Sequence, residues 1–239
     1  MLTYLDPQPT ALELPRCLPN PFASQPHLVA RRAAEHLQQQ LQTGLLPSDA
    51  FTCKRGGKML GVLVVADARG NVGYTKSFSG MMQKSWHVPG FVGPVFDAAA
   101  RDAVWPAGLA SLAAFDRRLL QLTEPNDVLT LKRQKADCSR ALLEHLFAGY
   151  QFKNARDEIR SLRHIFAPQA PPGGAGDCAA PKLFKHALAH SLRPIALAEF
   201  WWGAVVGARG RVPGGYYPAC DDKCGPVLGH MLQGITMSP

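Results

Sequence analysis

The sequence predicts an α/β fold in which a small central sheet is flanked by helices and interrupted by an inserted helical hairpin. Residues 59–66 form an almost continuous, valine-rich apolar run and residues 72–79 alternate, with Asp67-Ala68-Arg69-Gly70-Asn71 supplying turn chemistry between them. This pair reads as a β-hairpin. A further buried strand is expected much later, over 194–206, ending in Phe200-Trp201-Trp202-Gly203. The intervening residues 97–167 follow a mostly helical pattern, so the sheet must be closed across a helical insertion.

Composition bounds the answer before any motif does. With 46% hydrophobic and 18% charged residues over 239 positions, burial can offset ordering entropy, which excludes wholesale disorder. The expected organisation is one α/β domain spanning 1–239, with the helical insertion at about 97–167 and a cysteine-bearing segment over 171–239.

The elements follow in order. Leu14-Pro15-Arg16-Cys17-Leu18-Pro19-Asn20-Pro21-Phe22 reads as an ordered, irregular arm, because its prolines fix backbone geometry and remove amide donors. A helix is expected over 25–43, with Leu28, Ala34, Leu37 and Leu41 on one face and Gly44 at the left-handed C′ position. The 59–66 strand is apolar on both faces and should be central and covered on each side.

Residues 80–94 read as a loop packed by its own side chains, in which His87 sits as a packing or hydrogen-bonding residue. Over 97–167, breaks are expected at Trp105-Pro106 and at Glu124-Pro125-Asn126, with Asn126 or Asp127 capping the next helix. Two or three helices, forming an antiparallel hairpin, should result. Eight lysines and arginines against five acids between 127 and 167 make either a basic face or an ordinary solvated surface.

Residues 168–176, Pro-Gln-Ala-Pro-Pro-Gly-Gly-Ala-Gly, break the pattern. A helix over 177–190 then carries Leu183, Phe184, Ala187 and Leu188 on one side, and a final helical turn or two covers 227–232. Trp201 and Trp202 should point to opposite faces of their strand, and the outward ring could stack on a base or meet a neighbouring helix.

The cysteines are Cys17, Cys53, Cys138, Cys178, Cys220 and Cys224. No cleavable apolar leader precedes them and no apolar run reaches the ~20 residues of a membrane helix, so a cytoplasmic location and no membrane partner are expected. In a reducing compartment, clustered cysteines indicate metal or reactivity ahead of disulfides. The formal charge of +8 and pI near 9.4 favour an anionic partner, RNA among them.

Cys178 opens a helix after a glycine-rich loop, while Cys220 and Cys224 are four positions apart, so three soft thiolates can converge from two segments. That donor set suits zinc with one open coordination position. Helix amino ends should lower the thiol pKa values. The alternatives are that the cysteines are small buried residues or a redox pair, with Asp221-Asp222 capping a helix.

A strand hairpin, a helix opening on a ligand, another strand and Pro218-Ala219-Cys220 with Cys224 nearby resembles the order of elements in the cytidine-deaminase-like fold. In that fold a glutamate two residues after the first ligand moves protons; here Cys178 is followed by Ala179 and Ala180, and three residues separate the second pair of ligands instead of two. The resemblance implies a zinc site of Cys178, Cys220 and Cys224; the alanine at the proton-moving position removes the general acid–base, so a zinc-binding but inactive domain is expected ahead of an active deaminase, in which Asp177 or Glu199, neither at the expected place, would have to substitute.

Phe152-Lys153-Asn154-Ala155-Arg156, the block Pro171-Pro172-Gly173-Gly174-Ala175-Gly176-Asp177-Cys178-Ala179-Ala180-Pro181-Lys182-Leu183, Ala198-Glu199-Phe200-Trp201-Trp202-Gly203 and Tyr217-Pro218-Ala219-Cys220 through Cys224 resemble the long N-terminal region of bacterial RluA-type RNA pseudouridine synthases. Pro21-Phe22 and Gly61-Val62-Leu63-Val64 extend the resemblance over nearly the whole chain. It implies an accessory module for RNA modification, assisting RNA or substrate recognition beside a downstream or separate synthase domain. The Arg-Leu-Asp motif of that catalytic domain is absent here, so isomerisation by this chain alone is not expected. Three functions therefore compete: an RNA-associated module, a zinc-dependent deaminase-like hydrolase acting on a base or nucleoside, and a structural zinc domain.

Overall fold

The protein is described by a computed structural model covering residues 2–46, 56–205 and 210–238. It is a mixed α/β structure built on a four-stranded antiparallel sheet. Strand β1 (Thr3–Tyr4) pairs with β3 (Val72–Phe78), β3 with β2 (Gly57–Ala66), and β2 with β6 (Arg193–Gly203), giving the order β1-β3-β2-β6. Cys53 and Val206 lie outside the described residues.

The hairpin forms where its turn chemistry placed it. Asp67 closes the turn by accepting hydrogen bonds from the Arg69 and Asn71 amides, both at 2.9 Å, and Gly70 takes the left-handed conformation with φ 86°. Strand β2 is central, and its alternating side chains feed two separate cores. Leu60, Val62 and Val64 join Ala196, Ala198 and Phe200 of β6 under α1 (Leu28–Gln42), whereas Leu63 and Val65 join Leu197 under α5 (Ala179–Ala189) and α6 (Gly225–Met231). Helices thus cover both faces of the sheet, as a strand apolar on both sides requires.

Helix α1 ends as expected, with Thr43 as C-cap and Gly44 at φ 93°. Its buried face differs from the expected one. Leu28 is 74% exposed, and the stripe that meets the sheet is Val29, Ala30, Ala33, Ala34, Leu37 and Leu41. The small alanines let the helix approach the strands closely, which a leucine at the first turn does not help.

The insertion contains α2 (Ala98–Leu119), α3 (Pro125–Ala148) and the short α4 (Leu162–Phe166), with a two-stranded β4 (Gln151–Lys153) and β5 (Ile159–Ser161) hairpin that hydrophobic periodicity did not reveal. Lys135 pairs with Asp116 and Leu142 meets Gly108, so α2 and α3 run antiparallel. Two expected details are corrected. Pro106 does not break α2; the helix carries it internally because none of its residues is buried and water can satisfy the carbonyl left without a donor. The cap of α3 is Glu124, not Asn126 or Asp127, with Pro125 in the first turn where its missing N–H costs nothing.

Of the eight cations in 127–167, Lys135, Arg140, Lys153 and Arg163 are held in ion pairs with acids. The rest of that surface is therefore only a thin basic face. Trp202 is half-buried and packs edge-on against Phe200 at 6.3 Å, so this ring meets the α1 core. No helix among the described residues is long and apolar enough to cross a membrane.

Candidate metal centre

Three segments of chain are brought to one point beside the sheet. The glycine-rich turn ends with Gly174 and Gly176 at positive φ, 78° and 81°, and the Asp177 amide donates back to the Gly174 carbonyl at 3.2 Å. Cys178 follows as the N-cap of α5. The second segment is β6, which places Glu199 opposite Gly61 of β2. A Cβ at Gly61 would lie 3.0 Å from the Ala179 Cβ and 3.4 Å from the Glu199 Cγ, so glycine there makes room for the amino end of α5 and for the Glu199 stem.

The third segment leaves β6, turns, and runs back along its outer edge. Gly214 N–H donates to the Trp201 carbonyl at 2.7 Å, Trp201 N–H to the Gly215 carbonyl and Tyr217 N–H to the Glu199 carbonyl, both at 3.0 Å. That edge pairing delivers Pro218 and Cys220 next to Cys178. The Cys220 carbonyl then accepts from the Cys224 amide at 3.1 Å, and Cys224 becomes the N-cap of α6.

The sulfurs of Cys178, Cys220 and Cys224 all lie within 4.8 Å of one another, and those of Cys220 and Cys224 are 3.4 Å apart. Tetrahedral zinc–thiolate bonds of ~2.3 Å place sulfurs about 3.8 Å apart, so the group could hold a metal ion after small side-chain adjustments. The convergence expected from the spacing of the cysteines is present. The thiols do not all shift downward, however. Hydrogen bonds from Cys178 and then Cys224 stabilise the Cys220 thiolate and lower its pKa, while the bond to Cys220 raises that of Cys178 and the bond to Cys178 raises that of Cys224. Hydrogen bonds within the cluster set these directions.

Glu199 is 7% exposed, and its Oε1 accepts from the Ala180 amide at 3.2 Å. Burial pushes its carboxyl up to about 7, against the lowering effect of the Ala180 hydrogen bond; Cys220 raises it further and Arg211 lowers it. The carboxylate also acts electrostatically on Cys178 and Cys224. A carboxylate rooted on β6 thus occupies the amino end of α5, two residues past Cys178. Asp177 is committed elsewhere: it accepts from the Tyr150 hydroxyl at 2.8 Å, and burial raises its pKa.

The cluster opens into a cleft of about 540 Å³ lined also by Lys58, Ser79, Arg211 and Lys223. Lys182, behind it, is 1% exposed and donates to the Phe78 and Gly80 carbonyls at 2.8 and 2.9 Å, tying the cleft wall to α5. Sequence reasoning did not single out Gly61, Lys182 or Arg211 for the site. A glycine within a valine-rich strand was a signal for Gly61; nothing local marked the other two. His87 is not part of the cysteine cluster. Compared with known proteins, the chain matches no family model, no curated protein and no solved structure.

Proposed function

We propose that the protein is a zinc-dependent hydrolase of deaminase-like type, acting on a base or nucleoside. The observation that carries this reading is the Glu199 carboxylate set beside three convergent cysteine sulfurs in an open cleft. Cys178, Cys220 and Cys224 would hold the ion, and no fourth histidine, cysteine or acid joins the group among the described residues, so a three-thiolate site would leave a position for water. Zinc in such a site supplies a Lewis acid that makes water nucleophilic near neutral pH. Glu199, with its carboxyl near neutrality, takes up and returns the proton, and the Ala180 N–H fixes the carboxylate for that exchange. The order of elements, with a thiol opening α5 and two more ahead of α6, supports the same reading.

Elemental analysis of protein purified without chelator is expected to give one zinc per chain. Ammonia release from a panel of amino-bearing bases, nucleosides and nucleotides is expected, with Glu199→Gln reducing turnover by roughly 10²–10⁴-fold at unchanged zinc content. Zinc absent from the folded protein, or Glu199→Gln leaving turnover intact, sinks this reading.

A second reading, an RNA-associated module accessory to a pseudouridine synthase, is supported by the formal charge of +8 and by Lys132, Arg133, Arg156 and Arg160, which are exposed and in none of the ion pairs among the described residues. It predicts affinity for structured RNA that falls steeply with salt. RNA binding absent at low salt rejects it.

A further inference from the structure

The cleft beside the cysteines has a second chemical character besides its thiols. Three cations line it from separate stretches of chain: Lys58 from β2, Arg211 from the return segment after β6, and Lys223 from between the metal-binding cysteines. Lys223 Nζ donates to the Gly173 carbonyl at 2.9 Å on the opposite wall. The Arg211 guanidinium lies over the rings of Trp201 and Tyr217, 5.6 and 5.3 Å from their centroids.

Neither Arg211 nor Lys223 is in an ion pair among the described residues. A carbonyl and two aromatic faces orient these groups without neutralising them, so their charge remains available to a ligand. Both line the same cleft as Glu199 and the three cysteines. Three thiolates around a divalent ion leave a net negative centre with Glu199 beside it. A neutral nucleoside would gain nothing from cations around that centre, whereas a substrate bearing its own anion would.

We propose that the substrate carries a phosphate, as a nucleoside 5′-monophosphate does, with its base turned toward the cysteine cluster and its phosphate held by Arg211 and Lys223. This rests on the hydrolase reading and names the substrate class of that site. Arginine suits phosphate because its planar fork donates two parallel hydrogen bonds, while lysine acts as a point charge. A volume of about 540 Å³ lies within the ~300–1,000 Å³ of small-molecule sites and matches one nucleotide better than a tracked strand. A strand would need a longer cationic groove, and half of the cations over 127–167 are already paired with acids.

Isothermal titration of the full chain, metal-loaded and chelator-treated, against inorganic phosphate, the four ribonucleoside 5′-monophosphates, their nucleosides and a short single-stranded RNA tests this. Phosphate and at least one monophosphate are expected to bind competitively, that monophosphate at least tenfold tighter than its nucleoside. Arg211→Gln and Lys223→Gln should each weaken the monophosphate by about tenfold, the value of one charge-assisted hydrogen bond, with zinc content and circular dichroism unchanged. Lys223→Arg should restore binding, which separates charge from local folding. Equal affinity for nucleoside and monophosphate, or no binding of phosphate and every monophosphate, overturns the proposal even if zinc is present. RNA bound more tightly than any monophosphate, with no response to Arg211→Gln, also overturns it. Arg211-dependent phosphate binding in a protein that carries no zinc upholds the anion site while removing the hydrolase reading.

Discussion

Helices α5 and α2 are both rich in alanine, yet α5 buries seven of its residues and α2 buries none. The first lies against three strands of the sheet and carries Cys178 at its start; the second packs mainly on α3, away from the sheet. Burial on α5 extends to a charged group, Lys182, held by two backbone carbonyls, whereas α2 lays its Arg101 guanidinium over the rings of Trp86, Phe96 and Trp105 and pairs Asp116 with Lys135 of α3 at the surface. The difference shows where geometry is enforced. The three cysteines sit on segments anchored against the sheet, with Cys224 buried and Cys178 and Cys220 half-buried at the cleft, whereas α2 rests mainly on α3.

The largest effect that would sharpen this contrast is expected at Lys182. Replacing it with alanine leaves the Phe78 and Gly80 carbonyls without a donor and opens a cavity, costing about 3 kcal/mol in chemical denaturation. Burial also lowers the Lys182 pKa from 10.5 to about 8. Between those values the unfolded chain binds a proton that the folded protein has lost, so the contribution of Lys182 to stability rises with pH through that window and falls back as pH drops through 8. The gap between wild type and Lys182→Ala should therefore widen from pH 7 to pH 10. A gap that narrows would contradict this assignment of the buried ammonium.

Gly61→Val comes next. Its side chain would press on Ala179, Leu183 and Glu199, so overpacking should cost about 1–3 kcal/mol and reduce zinc occupancy, read by elemental analysis. Full zinc occupancy in the variant would show that α5 can shift without disturbing the thiols. Pro106→Ala should have the smallest effect, raising stability by less than about 1 kcal/mol by restoring an amide in solvated α2, with zinc content untouched. A change in zinc occupancy there would mean that the hairpin is coupled to the cluster.

Much of the architecture was legible because it depends on local pattern. The valine run and the Asp67–Asn71 turn defined the central hairpin, the glycine-rich stretch before Cys178 marked the start of α5, and the aromatic end of β6 was recognisable. The β4–β5 hairpin was hidden because three-residue strands carry too few alternations to signal a period. Pro106 misled because a proline reports its missing donor but not whether water can satisfy the orphaned carbonyl.

The sequence by itself determined the mixed α/β class and the three cysteines that could meet, because residue spacing sets local geometry and two thiols four positions apart with a third at a helix start can reach a common point. Tertiary structure alone decided which carboxylate stands beside them. Glu199 is nineteen positions from the amide that holds it, and only the pairing of β6 with β2, the absence of a side chain at Gly61 and the docking of α5 place it there. Long-range packing supplies a group that the local motif lacks, because chemistry depends on distance in space and not on position along the chain.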